Sequence, residues 1–537
     1  MQLALGGLYE ASSVLDKARE HYSFVLQRDP QSTDALLAMG RVETMSGSPQ
    51  KGLEYFERAR SLAVQSDNQE TNAASLHAIG VAYRMLNKPE EALKNFQESL
   101  DIKRKIGQKR GMAVTLNEVA KLQAQLGNSK AALASFNEAL QIRRDIGDKR
   151  GVGGTLLDLG NFYDDQGDHD KALSFYKESL QVERDVGDES MQAICLNNIG
   201  NARFAKGDYE DALTYFQQAL QLREKAKVPD DIVESVHNIA ETSAKMGQYD
   251  QAVTQYMRAL DLRRTINDPR GAAIESYSLG TLFQHQGRVG AALNAKEEAL
   301  KTFTDLKDRT FWMSEILGGY GDILIEAGRG DEAPKYLDDA LNLARELKND
   351  GMVAQTLGYM GDAAFYRGDF KSAKGSYEHA QQAAEHSTET DKKLIARLNL
   401  AKLAVQEGRS KEAIASLRPL VQKANELGLK YLGVQCSLWL ADAMTQAHDY
   451  APAKPELEEL LLRSDKLGSQ PLSARAHYLL ATIARISGKT SEAQDQYRQA
   501  VRLLETISKE KGAEKVLQRA DLSAIYNDSN KWLQASK

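Results

Sequence analysis

Proline and cysteine are both scarce in this chain, with ten prolines and two cysteines in 537 residues. Soluble proteins carry about 5% proline on average, so Pro-rich linkers and many-turned β architectures are disfavoured. Cys195 and Cys436 have no second Cys or His at ligand spacing, which excludes a disulfide framework and a zinc knuckle. Each lies in an apolar helical pattern and reads as a small hydrophobe. No run approaches 18 apolar residues, and the opening MQLALGGLYEASS has no basic segment leading into a sustained apolar core. Neither direct membrane insertion nor a secretory leader is therefore predicted, and the expected location is the cytoplasm. A surplus of one charge is also missing, since 69 Lys and Arg face 75 Asp and Glu for a net charge of -6. Proteins that hold phosphate backbones are usually basic over the binding domain, so nucleic acid is not an expected partner.

Catalytic signatures are missing as well. The nine histidines include no HxH, HxxxH or HExxH pair that would set two imidazoles on one helical face. There is no GxxxxGK[ST] loop, no GxSxG elbow, and no kinase HRD or DFG motif. GVGG at 151–154 follows a helical pattern rather than a strand, and acidic pairs such as Asp164 and Asp165 sit on amphipathic helices. No enzyme, cofactor or metal is expected in the chain.

What is present is a repeat. On length alone, about 150 residues per domain would give three or four domains. Self-comparison instead registers thirteen units, anchored on Ala18, Gly52, Ala92, Ala132, Ala172, Ala212, Ala252, Ala292, Ala333, Ala373, Ala413, Ala453 and Ala493. The first step is 34 residues, one is 41 and the others are 40. Twelve residues before each anchor stands Gly or Ala, from Gly6 to Ala481, and four residues after it nine units carry Phe or Tyr. Five residues before the anchor, ten units have Gly, the exceptions being Ser13, Asn87 and His448. Glycine there supplies the left-handed backbone that ends one helix and begins a tight turn. Each unit is a helix, a turn and a helix, and small residues let the two helices approach beside the aromatic.

These columns resemble the tetratricopeptide repeat (TPR), and residues 76–100 carry nearly all of its pattern in Gly80, Tyr83, Ala92, Phe96 and Ser99. The 40-residue period is similar to the longer variant of kinesin light chains and mitotic-spindle adaptors. The resemblance implies an all-α, right-handed superhelical solenoid of about thirteen helix-turn-helix units over residues 1–507. Residues 508–537 are predicted to form a C-terminal capping helix and tail, with Leu517, Leu522, Ile525, Tyr526 and Trp532 spaced to cover the last face. Met1 falls inside a pattern expected to start earlier, which reads as a piece of a longer chain. The run from MQLALGGLYEASS through LNNIGNARF to GAEKVLQRADLSAIYNDS is similar to the C-terminal array of bacterial serine/threonine protein kinases. That similarity implies a regulatory arm with an upstream kinase domain. A peptide-pheromone sensor would add a DNA-binding helix-turn-helix, and none is visible.

The family's inner groove points to a protein or peptide ligand. By register, Asn161 and Asn201 follow the small residue, Asn198 and Asn238 precede it by two, and Asn117 and Asn197 lie one residue earlier still. A column of amides offers donors and acceptors to an extended peptide main chain, although an Asn also bonds within its own turn. Later units show Asp322, Asp362 and Asp442 in the same column, suiting a different or basic ligand. A basic band recurs near the ends of the second helices at Lys103 to Lys105, Arg143 and Arg144, Arg184, Arg223 and Lys225, and Arg263 and Arg264. Cations in a last turn favour the helix dipole, and as a ladder they would suit an acidic partner. Two departures carry local expectations: Pro419 should kink or break its helix, and Lys296 in the aromatic column should loosen packing between the eighth and ninth units.

Overall fold

The computed structural model describes residues 1–535, and among them every regular element is helical. The chain divides into two compact units, Met1–Lys206 and Gly207–Lys537. The first holds α1 (Gln2–Ala11), α2 (Leu15–Arg28), α3 (Thr33–Met45), α4 (Pro49–Gln65), α5 (Gln69–Met85), α6 (Pro89–Lys105), α7 (Lys109–Gln125), α8 (Ser129–Asp145), α9 (Lys149–Asp165), α10 (His169–Val186) and α11 (Glu189–Ala205). The second opens with α12 (Tyr209–Ala226), α13 (Pro229–Lys245), α14 (Tyr249–Thr265), α15 (Pro269–Gln286), α16 (Val289–Asp305), α17 (Phe311–Glu326), α18 (Pro334–Glu346) and α19 (Asp350–Phe365). It continues through α20 (Phe370–His386), α21 (Thr390–Gln406), α22 (Ser410–Glu426), α23 (Lys430–Gln446), α24 (Tyr450–Leu467), α25 (Gln470–Ile486), α26 (Thr490–Ser508), a 3-10 turn at Val516–Gln518 and α27 (Ala520–Ala535). Odd-numbered helices through α25 are the first helices of successive repeats, and even-numbered ones are their partners.

Helix starts follow from local chemistry. Asp148, Asp168, Asp188, Asp268 and Asp369 each accept a hydrogen bond from the backbone N–H three residues on, capping α9, α10, α11, α15 and α20. Six of the ten prolines occupy the first or second position of a helix, where the missing N–H costs nothing. The turn column is left-handed throughout: its ten glycines have positive φ, and Ser13, Asn87 and His448 are forced to φ of 56°, 56° and 60°.

The packing signature is a ring laid over a bare backbone. Tyr22, Phe56, Phe96, Tyr176 and Tyr377 are buried against Gly6, Gly40, Gly80, Gly160 and Gly361 respectively. A methyl group added at Gly80 would lie 2.7 Å from the Phe96 ring. Where the aromatic is missing, Leu337, Leu417 and Leu457 are buried in its place. Both cysteines are buried and reduced, and burial pushes their thiols up, Cys195 to about 11 and Cys436 to about 12.

Two local expectations are revised. Pro419 does not break α22, which is continuous from Ser410 to Glu426. Leu417 and Leu420 on either side are buried and hold the turn, while Pro419 lines an open cleft of about 780 Å³. Lys296 leaves no gap in its slot. Its ammonium is buried, donates to Gln284 and to the Gly319 carbonyl at 3.3 Å, and so ties α16 to α15 and α17. The extra residue of the 41-residue step falls in the loop between α16 and α17, and α18 separately starts a turn late with Ala333 as its N-cap.

The interlock predicts opposite signs for two Gly→Ala changes in the same unit. Alanine gains about 1 kcal/mol over glycine in a helix, but overpacking typically costs about 1–3 kcal/mol. Gly80→Ala should lower the urea midpoint of unfolding. Gly154→Ala, whose new methyl meets nothing nearer than Arg143 at 3.8 Å, should raise it.

Candidate functional site

The asparagines singled out in the first unit do not share one environment. Asn117 is buried, donates to Asp158 at 2.9 Å and accepts from Thr155 at 3.4 Å. Asn197 is buried as well. Asn161 accepts both from the Tyr176 hydroxyl at 2.9 Å and from the Asn198 amide, one repeat later, at 3.0 Å. Asn161 and Asn201 are exposed, and Asn198 is half-buried. Thus Asn161 and Asn198 form an accessible amide pair along the first helices, whereas Asn117 and Asn197 lie within the packing. Asn238, in the second unit, is half-buried on α13.

Much of the basic band is spent within the repeat stack. Arg104, Arg144 and Arg264 pair with Glu138, Glu178 and Glu298, each 34 residues on, at 2.8–2.9 Å. Lys103, Arg143 and Arg223 are buried, donating to Thr115 at 2.8 Å, to the Gly151 carbonyl, and to Ser235 at 2.9 Å. Single-sequence reading missed these pairings because acid and base stand a whole repeat apart.

The largest concentration of chemistry lies in the second unit. Its first helices curl until α13 and α15 meet α23 and α25. His285 stacks on Tyr431 with ring centroids 3.8 Å apart and accepts or donates to Tyr249 at 3.1 Å, while Gly287 abuts Pro471. The segment after α26 completes the wall: Gly290 N–H donates to Glu510 at 2.9 Å, and Ala520 N–H donates to the Tyr366 carbonyl at 3.1 Å. These contacts bound an open-sided chamber of about 720 Å³ lined by α13, α15, α17, α19, α21, α23 and the C-terminal segment.

The chamber is dense in paired charge. Lys402 donates to Asp362 at 2.8 Å and to Asn399 at 3.1 Å, and Asp362 also accepts from Tyr377. Arg475 donates to Asp442 at 2.6 Å and lies 3.9 Å over the Trp439 ring. Arg519 forks onto Asp521 at 2.9 and 3.1 Å and lies 3.9 Å over Tyr366. Two of the three column aspartates expected to suit a basic ligand, Asp362 and Asp442, are thus matched by the chain's own cations.

Asp322 differs. It accepts from Gln284 at 2.6 Å, and burial, reinforced by Glu326 one turn along α17, pushes its carboxyl up to about 7. Burial also raises Glu326, against the pull of Arg519. Burial lowers the Lys296 ammonium below the usual lysine range, and lowers His285 to about 3, leaving a neutral imidazole. Burial opposes the charge on Lys402 too, but there adjacent Asp362 holds its pKa above the ordinary value. The sequence signal for this site was the change from Asn to Asp in one column. The closing contacts, 146 or more residues apart, left no signal in a single sequence.

Among the described residues, no group of three or more His, Cys, Asp or Glu side chains is placed to hold a metal ion, and no helix is long and apolar enough to cross a membrane.

Family comparisons agree with this architecture. The MalT-like TPR region matches residues 233–506, just over half of the chain, and tetratricopeptide repeats match 31–105, 90–145 and 152–225. The chain belongs to the tetratricopeptide-repeat proteins, and its second unit carries a MalT-like TPR region. No curated protein matches it. Among solved structures it is similar to a Rap protein complexed with Competence and Sporulation Factor, with 17% identity and a TM-score of 0.48 over 67% of this chain and all of that one. The quorum sensor NprR from B. thuringiensis gives 15% identity and a TM-score of 0.46 over 64% of this chain and 97% of that one. A signal transduction ATPase with a tetratricopeptide repeat sensor from Pyrococcus horikoshii gives 14% and 0.49, over 66% and 53%. Likeness at this level concerns the fold alone.

The raised Asp322 carboxyl fixes a pH dependence. In the unfolded chain it titrates near 4, and in the fold near 7, so the fold prefers the protonated form. That contribution is lost as pH climbs through about 7. The stability of the wild type relative to Asp322→Asn should therefore rise by on the order of 2 kcal/mol between about pH 8 and about pH 5, read from paired urea melts. Using the difference removes the opposing titration of His285.

Proposed function

We propose that this chain is a non-catalytic protein-interaction scaffold that takes an extended segment of a partner along the first helices of its repeats. The observation that carries the reading is the accessible amide pair Asn161–Asn198 at 3.0 Å, with exposed Asn201 on the same helix as Asn198. The pair spends one donor and one acceptor on each other. The second amide hydrogen of Asn198, the amide group of Asn161 and the carbonyl of Asn198 remain to meet a peptide main chain, whose own N–H and C=O groups require partners wherever they leave water. Amides recognise backbone without dictating side chains, so the partner is defined by extended conformation more than by sequence.

The basic band takes no part in this reading, because Arg104, Arg144 and Arg264 are held by glutamates of adjacent repeats and Lys103, Arg143 and Arg223 are buried. Affinity capture on the full chain tests it. Asn161→Ala combined with Asn201→Ala should weaken capture of the partner at least tenfold, at about 1 kcal/mol per lost hydrogen bond, while Arg104→Ala with Arg144→Ala should leave capture intact. A double amide variant that retained every partner would overturn the proposal.

A further inference from the structure

Among the carboxylates of the chamber that the chain's own cations leave unpaired, Asp322 and Glu326 stand one helical turn apart on α17. Asp362, Asp442 and Asp521 are bound by Lys402, Arg475 and Arg519 at 2.8, 2.6 and 2.9 Å. Asp322 and Glu326 form no ion pair among the described residues, although both line the chamber. The Gln284 amide is the hydrogen-bond donor they have between them.

We propose that the chamber binds a peptide through a guanidinium or ammonium group seated among Asp322, Glu326 and the rings of Tyr366 and Tyr431, which line the same cavity. The proposal rests on the scaffold reading above and names the chemistry of a second seat on that scaffold.

Three further observations support it. The chamber already holds guanidinium groups in this manner: Arg519 over Tyr366 and Arg475 over Trp439, both at 3.9 Å and both also facing a carboxylate. A cation between an acid and a ring gains from both, and gains more when shielded from water. Next, the group stacked on Tyr431 is His285, whose buried imidazole is neutral and so does not compete as a cation. Finally, Trp439 is 7% exposed and lines the chamber, and its indole N–H has no hydrogen-bond partner among the described residues. An unpaired donor in such a place calls for an acceptor. A peptide supplies carbonyls along with the cation, whereas a simple polyamine supplies none.

Binding would be linked to protons. Asp322 is faced by Gln284 and His285 from α15, Lys296 from α16, Glu326 on its own helix, Tyr359 and Asp362 from α19, Tyr431 from α23, and Arg519 from the C-terminal segment. With its carboxyl near neutrality, an arriving cation would ionise it and release a proton.

Isothermal titration of the full chain tests this with four probes: an acetylated, amidated alanine pentapeptide with a central arginine, the same peptide with lysine, the same with citrulline, and spermidine. The arginine or lysine peptide should bind at least tenfold more tightly than the citrulline one. Paired buffers of different ionisation enthalpy should show proton release near neutral pH that disappears in Asp322→Asn. Asp322→Asn and Glu326→Gln should each remove the preference for the cationic peptides. Equal binding of the charged and citrulline peptides, or no binding by any peptide, would overturn the proposal. So would spermidine binding as tightly as the peptides, which would assign the site to free amines. The citrulline comparison on wild-type protein decides even if a variant fails to fold. Because defined probes are used, a failure here is separable from failure of the amide variants in partner capture.

Discussion

Every repeat depends on one steric fit, a ring, a leucine or in one unit the Lys296 stem of the second helix seated on a residue of the first helix that has little or no side chain. Burying an aromatic group is among the larger single gains available to a small helical pair, and here it is repeated along the chain. The gain requires the two backbones to come close, which Gly80 allows Phe96 and Gly361 allows Tyr377. A pair made this way still has an apolar face to cover, so it stacks on the next pair, and a solenoid follows. The left-handed turn is the second condition. The fold holds Ser13, Asn87 and His448 at positive φ where glycine would be easier, which shows that packing dictates the turn and the turn residue accommodates it.

Charge satisfaction follows the same periodicity. Repeat-to-repeat stacking brings position i next to positions 34 to 40 residues on, so Arg104 finds Glu138, Arg144 finds Glu178 and Lys402 finds Asp362. These pairings differ in consequence. On the outside they are half-exposed and contribute little each. Inside the chamber of the second unit the same arithmetic places whole ion pairs where water is scarce, and any charge left over is costly. Asp322 and Glu326 are among the leftovers, and the proposed seat for a cation depends on them.

Much of the fold was legible because its cause is local and repeated. The small-residue column, the aromatic column and the turn glycines each recur at a fixed interval, and periodicity turns weak single-position preferences into a register. The two departures from pattern were located correctly and interpreted less well. Lys296 was expected to loosen its neighbourhood, but a long side chain with an ammonium tip reaches carbonyl oxygens on two other helices. Pro419 was expected to kink or break its helix, and it does not break it: buried leucines on both sides keep the turn in place.

The amides of the first unit show how far register can carry a site. Asn117 and Asn161, from different columns of the repeat, were both expected to line the groove, yet one is buried against Asp158 and the other is exposed. The sequence by itself determined the repeat, its helix pairs, the turn conformation and the acids and amides available to the first helices, because all of these are set within about 40 residues of chain. Tertiary structure alone decided which cations neutralise which acids, that the second unit closes His285 onto Tyr431, and that a chamber with Asp322 and Glu326 left unpaired results. Those outcomes depend on curvature accumulated over many repeats, a sum of small packing angles that no single residue encodes.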